Sequence, residues 1–567
     1  MMMLRGLFLA LILAGTAYLP VQAQVHTGFE AREGRRNLAF GLEGLKDYST
    51  QQPFIDQMRT ARPWIGHLPG QWGGRDADWL RESGFLDENG WIVSIPTSLS
   101  RVGTLILTDL PAEMTSVAGR YHAQWEGSAY PAFRGAAHSV RYQRNRATFE
   151  FEPGAGPVLI SINRGDLRNL SIVHERHLER HEAGEIFNPD WMALISDAEN
   201  LRFMDWMATN DSDQVTWSDR PRLEDYSWSP RGAPLEVMLA LANLTGAEPW
   251  FTLPHGADDD YMRRFAEMVR DRLRPDLRVW AEYSNEVWNW MFGQADWANQ
   301  RARARWGERG DGAWVQYYAL RATAMMRLWD DVFADQPERL VRVLTVQTGW
   351  HGLEQYILHA PLWQEEDPAN RPPYEHFDAY AVTGYFNSEL HADARQPMLD
   401  DWLARSLAQA GADAQALPPD DREAYVVAHR FDLALELAGQ ELLDGSISGE
   451  PAGSVRDLLD ATLAYHARVA AGHGLTMVMY EGGTHVTVPH ARHGDSDLVE
   501  FIMALNHSPQ MADLYRVLIE GWGTLTPAPF NAFVDVGAPT LWGSWGALRH
   551  IDDDNPRWRA LMEITGR

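Results

Sequence analysis

The chain has 567 residues, no cysteine, 45% hydrophobic side chains and a formal charge of −28. Without thiols there are no disulfides and no thiolate metal sites, so an ordinary apolar core must hold the fold. The negative charge argues against nucleic acid or any other polyanion as partner, and the length suits either several domains or one barrel with inserted segments.

Taken in chain order, Arg5 stands ahead of an apolar run from Leu7 to Ala14, and a small-residue pattern follows at Val21-Gln22-Ala23. Residues 1–23 read as a secretory signal peptide cleaved after Ala23, which implies a secreted or periplasmic mature protein. No other run is long and apolar enough to span a bilayer. From there, short apolar runs alternate with amphipathic stretches, the pattern of a parallel sheet with crossover helices. Strands are predicted at 37–42, 201–207, 249–253, 278–283, 340–346, 377–383, 476–480 and 530–536. Eight such strands are the number a (β/α)₈ TIM barrel needs. Helical spacing of Met262, Phe265, Ala266 and Val269 predicts a helix over 258–272, and a second pattern covers 315–333.

Two segments interrupt the alternation. Residues 24–90 open the barrel, but 91–173 carry only strand-like runs (104–108, 147–151, 158–162) separated by Gly and Pro. They predict an inserted antiparallel β-domain between strands one and two. Residues 174–567 supply the remaining barrel, with a helical excursion over 397–474 between strands six and seven.

The chemistry-bearing motifs sit at strand ends. The fourth predicted strand stops at Tyr283-Ser284-Asn285-Glu286, and the seventh ends at Tyr480, followed by Glu481-Gly482-Gly483. Residues at the carboxyl ends of barrel strands face a common cavity, so Glu286 and Glu481 are expected to converge. Two facing carboxyl groups are the equipment of a glycosidase, in which one donates a proton while the other attacks the sugar carbon or activates water. A Trp count of 24 agrees with stacking platforms for sugar rings, although most tryptophans in any protein are core.

On these residues the chain resembles the clan A glycoside hydrolases, the (β/α)₈ retaining glycosidases that include family-five cellulases and mannanases. Val287 stands where the clan often has proline, so the resemblance is to a less characterised, exported bacterial branch. The resemblance implies that Glu286 is the general acid/base, Glu481 the nucleophile and Asn285 the residue bonding the sugar 2-hydroxyl. It further implies that Arg202, in LRFMDW, holds the nucleophile ionised, in keeping with a buried ion pair. Tyr385 would orient the nucleophile or belong to the core, and His255 would line the cavity or lie in an exposed loop. Trp545 would floor the central sugar subsite, and Trp288 and Trp290 would extend the cleft or pack into the following helix. The expected substrate is a β-linked glucan- or mannan-type polysaccharide or oligosaccharide, cleaved without a cofactor.

Two alternatives come from other classes. One is a polysaccharide-binding barrel without turnover, against which the presence of both glutamates speaks. The other is a metal hydrolase using His174, His177 and His181, or His485, His490 and His493. Neither cluster has the spacing of a zinc hydrolase, since Glu179 is misplaced between His177 and His181. Asp258-Asp259-Asp260 precedes an amphipathic helix and reads as its N-terminal cap rather than a calcium site.

Overall fold

The computed structural model describes residues 37–310 and 312–566. The expected signal peptide therefore lies outside the described residues. Eight parallel strands close into a barrel in sequence order: Leu38–Gly41, Asn200–Arg202, Glu248–Leu253, Val279–Tyr283, Leu340–Thr345, Ala379–Phe386, Thr476–Thr484 and Phe530–Phe533. Closure is made by strand one, which pairs with both strand two and strand eight. Strands three and four are buried along their whole length, which is why they read as apolar runs rather than as alternating patterns.

Strand two is shorter than its apolar pattern. It ends at Arg202, and the amide of Met207 bonds back to the carbonyl of Phe203 (2.8 Å), turning the chain over. Phe203, Trp206 and Met207 are buried in that turn, with Trp206 stacked on Trp191 at 5.6 Å. Their apolarity thus reports tertiary packing and not strand. The helix predicted near 258 is Asp259–Arg272, and Asp258 caps it by accepting the amide of Tyr261 at 2.7 Å. The other long helix runs Ala313–Val332. The excursion after strand six is built of helices, among them Gln396–Ala414, Arg422–His429 and Asp432–Asp444.

Between strands one and two the chain builds two antiparallel sheets. The larger orders Gly74–Arg75, Ile65–His67, Arg101–Ile106, Val158–Ile162 and Ala132–Gly135; the smaller orders Arg168–His174, Gly119–Glu126, Arg146–Phe151 and His138–Gln143. Two of these strands, Ile65–His67 and Gly74–Arg75, precede residue 91; at three and two residues they are too short to show alternation in the sequence. One apolar core runs unbroken from the barrel into both sheets. Trp64 and Trp91 pack on Tyr226, 5.2 and 6.0 Å away, and so tie the sheets to the loop after strand two.

Candidate active site

Glu286 and Glu481 stand at the same end of the barrel, and the backbone is bent to present each of them. After Tyr283 the chain turns through left-handed conformations at Ser284 (φ 61°) and Glu286 (φ 39°). Each such non-glycine residue costs on the order of 1–3 kcal/mol, strain that collects where a side chain must be aimed. On strand seven the pairing with strand six shifts register between Val382 and Thr383, so that Tyr480 is an extra, bulged residue. The bulge breaks the two-residue alternation and lets Tyr480 and Glu481 both face the barrel mouth.

The Gly-Gly after Glu481 also has a packing reason. A Cβ on Gly483, whose φ is +128°, would meet the hydroxyl of Tyr515, and one on Gly482 would meet the sulfur of Met479. Tyr515 uses that hydroxyl to accept the amide of Thr484 at 3.0 Å, which fixes the strand just beyond the carboxylate.

Arg202 is the hub of the polar network. Its guanidinium donates to Glu481 Oε1 (2.8 Å), to Asn285 Oδ1 (2.8 Å) and to both oxygens of Glu282 (3.0–3.2 Å). Glu282 also accepts from the Trp250 indole and the Thr345 hydroxyl, each at 2.8 Å, so a fully buried carboxylate is met by three side chains. A buried charge network of this kind is tolerable only when every member is paired. Asn285 is fixed further by donating to Asn210 Oδ1 (3.1 Å), and Gln294 holds both Asn210 Oδ1 (2.7 Å) and the Asn285 carbonyl (2.8 Å).

The two glutamates differ in their partners. Glu481 accepts from Arg202 and, on Oε2, from the Tyr385 hydroxyl at 2.9 Å. Glu286 accepts from the Tyr480 hydroxyl (2.8 Å) and from Asn289 Nδ2 (2.9 Å). Burial pushes the Glu481 carboxyl up to about 8 and the Glu286 charge adds to the rise, while Arg202 and Tyr385 pull the other way. Arg202 thus acts towards the ionised form of Glu481, and loss of hydration acts against it. Burial, then the neighbouring carboxylates, also raise Tyr385 and Tyr480 far above an ordinary phenol, so both remain donors. For Arg202 burial acts downward, but the charges of Glu282 and Glu481 more than offset it and the guanidinium stays charged.

The remaining predicted residues divide. Trp545 belongs to the aromatic wall beside Glu481: it packs at 6.2 Å on Phe533 and 5.8 Å on His485, and His485 lies 5.2 Å from Tyr385. His255 packs edge-on to Trp297 at 5.3 Å, and its main-chain carbonyl accepts the Tyr283 hydroxyl at 2.6 Å. Burial lowers its basicity. Trp288 is buried against Tyr318. Sequence reasoning missed Glu282, Tyr480, Asn210 and Asn289. Tyr480 and Glu282 carried a signal, a polar group inside an apolar strand pattern, that pointed to a paired buried site.

Of the candidate metal ligands only His485 lies in the site, in the aromatic wall. His177 accepts the Nε–H of Arg176 at 3.0 Å, and burial followed by Arg176 lowers it to about 4; His490 and His493 flank Trp542. Among the described residues no group of three or more His, Cys, Asp and Glu is arranged to hold a metal ion.

No protein-family model and no curated protein matches the chain. Solved structures similar to it include two of one enzyme. One is a mutant of Xylanase10C from Cellvibrio japonicus in complex with xylopentaose: TM-score 0.28, 10% identity, covering 90% of this chain and 98% of that one. The other is native Xylanase10C from the same organism: TM-score 0.26, 8% identity, covering 89% and 98%.

Proposed function

We propose that the protein is an exported retaining glycoside hydrolase that cleaves a β-linked polysaccharide or oligosaccharide of glucan or mannan type. The observation that carries this reading is the pair of carboxyl groups at the barrel mouth, each held on both oxygens by separate donors, with Arg202 joining Glu481 to the residue next to Glu286. Glu481, ionised, attacks the anomeric carbon, and the bond to the leaving oxygen breaks as Glu286 gives that oxygen its proton. Water then attacks the same carbon, its proton passes to Glu286, and the bond to Glu481 breaks. Arg202 and Tyr385 hold Glu481 for attack and receive its charge back when it leaves. Asn285, fixed through its oxygen and one amide hydrogen, keeps the second hydrogen for a sugar hydroxyl.

The test is hydrolysis of β-glucan, mannan and xylan by the mature protein, with Glu286→Gln and Glu481→Gln beside it and the anomer of fresh product read by NMR. Loss of about 10²–10⁴-fold in kcat in each variant, with retention in the wild type, is the expected result. Undiminished activity in Glu481→Gln would remove the nucleophile assignment, and binding without wild-type turnover would make the protein a polysaccharide-binding barrel.

A further inference from the structure

Three tryptophans lie together, two on the loops after strands four and five and one on the helix between those strands. Trp290, in the turn that follows Glu286, is 52% exposed, and Trp350, five residues beyond strand five, is 54% exposed. Trp314, in the first turn of helix Ala313–Val332, joins them: its ring is 5.4 Å from Trp290 at 44° and 6.2 Å from Trp350 at 48°. Met291, 86% exposed, extends the surface. Large apolar side chains in contact with one another and open to water mark a binding surface, because burying them on a ligand recovers the hydrophobic free energy that folding left unused.

Their place tells what they bind. Asn289, adjacent to Trp290, donates to Glu286 through its side chain and its backbone amide, so Trp290 stands on the same tight turn as the acid/base. In the proposed reaction the acid protonates the leaving oxygen, so the departing part of the chain lies on the Glu286 side. Other exposed aromatic residues, Tyr48 and Trp542, come from the loops after strands one and eight, across the barrel mouth. Flat indole faces set at an angle form a curved apolar floor, suited to the C–H faces of successive sugar rings and indifferent to their hydroxyl pattern.

Building on the proposed function, we infer that Trp290, Trp314 and Trp350 form the leaving-group platform, which holds the sugar residues beyond the cleaved bond and makes the site one for long chains rather than short glycosides. Stacking by residues remote from the reacting carbon supplies binding that positions the scissile bond, so its loss is felt most by substrates long enough to reach it.

The test compares Trp290→Ala, Trp350→Ala and the double variant with the wild type, measuring kcat/KM on the preferred polysaccharide and on an aryl glycoside of the same sugar. The polysaccharide-to-aryl ratio is expected to fall about tenfold in the double variant, the scale of one or two aromatic contacts. A ratio that does not move, or equal loss on both substrates, would overturn the platform. Affinity electrophoresis through gels containing β-glucan, mannan or xylan gives a second readout. If the wild type hydrolyses nothing, the hydrolase reading fails separately, and the gel decides the platform: retardation abolished in the double variant upholds it, and equal migration overturns it. Should either alanine variant lower the melting temperature, Trp290→Phe and Trp350→Phe carry the comparison, with the ratio expected between wild type and alanine. A concentration-dependent dimer abolished by the same variants would assign the surface to a second copy of this chain and overturn the inference.

Discussion

Replacing Arg202 with methionine removes one cation from two carboxylates that water cannot reach. Arg202 and Glu282 are 1% and 0% exposed and Glu481 is 6% exposed, so neither carboxylate can recover hydration in the variant. Breaking a buried pair in this way costs about 3–5 kcal/mol while the abandoned group stays charged. At low pH the carboxyls escape that cost by taking up protons. Glu282 is already raised by burial against the opposing effect of Arg202, and Glu481 stands at about 8. Losing the cation raises both further, so the native variant holds more protons than its unfolded chain up to a higher pH, and its stability falls as pH rises through that window. Urea unfolding followed by tryptophan fluorescence should show a small loss against wild type at pH 5 and a loss approaching about 3–5 kcal/mol at pH 9. Equal destabilisation at both values would refute the reasoning, since it would mean that Arg202 contributes packing and not charge.

Further outcomes follow from the same network. Because burial lifts Glu481 to about 8, the acidic limb of kcat/KM should lie near 8 instead of near 4.5, and Tyr385→Phe, which removes a donor that favours the ionised form, should move it higher; a limb near 4.5 in both proteins would contradict this. Tyr480→Phe takes one of two donors from Glu286 and should lower kcat by about tenfold with a smaller change in KM, the scale of one hydrogen bond, as measured by steady-state kinetics. Glu43 is pushed up to about 8, by burial first and then by Asp205, itself raised to about 6. Its contribution to stability is therefore full below the unfolded carboxylate's value and lost as pH rises through about 8, so Glu43→Gln should melt with a shallower decline between pH 5 and 9 than the wild type.

Much of the barrel was legible in the sequence because its strands are short, wholly buried and separated by helices whose apolar faces repeat at their own period. The 278–283 pattern needs no partner to be recognised, since a strand buried on both sides is apolar except where, as at Glu282, a polar group is paired. The Asn285-Glu286 and Glu481-Gly482-Gly483 motifs were legible for the opposite reason: a carboxylate beside such a run needs partners, and the mouth of a barrel is where they gather, although strand seven runs on past Glu481 to Thr484 and keeps it buried. Even Asp258 was readable, because a cap acts over three residues of its own chain.

What only the tertiary structure decided depends on contacts between distant segments. Period-two alternation could not show the register shift that turns Tyr480 to the mouth beside Glu481, because a bulge is defined by the partner strand. Nor could it show that Arg202 divides its charge between Glu282 and Glu481, 80 and 279 residues away. Trp288 and Trp290 are two residues apart in one turn; packing against Tyr318 buries the first and leaves the second beside Trp314. The chain by itself specified which groups stand at strand ends. The closed barrel decided which of them meet, because the balance between lost hydration and an opposing charge is set by neighbours that sequence distance does not reveal.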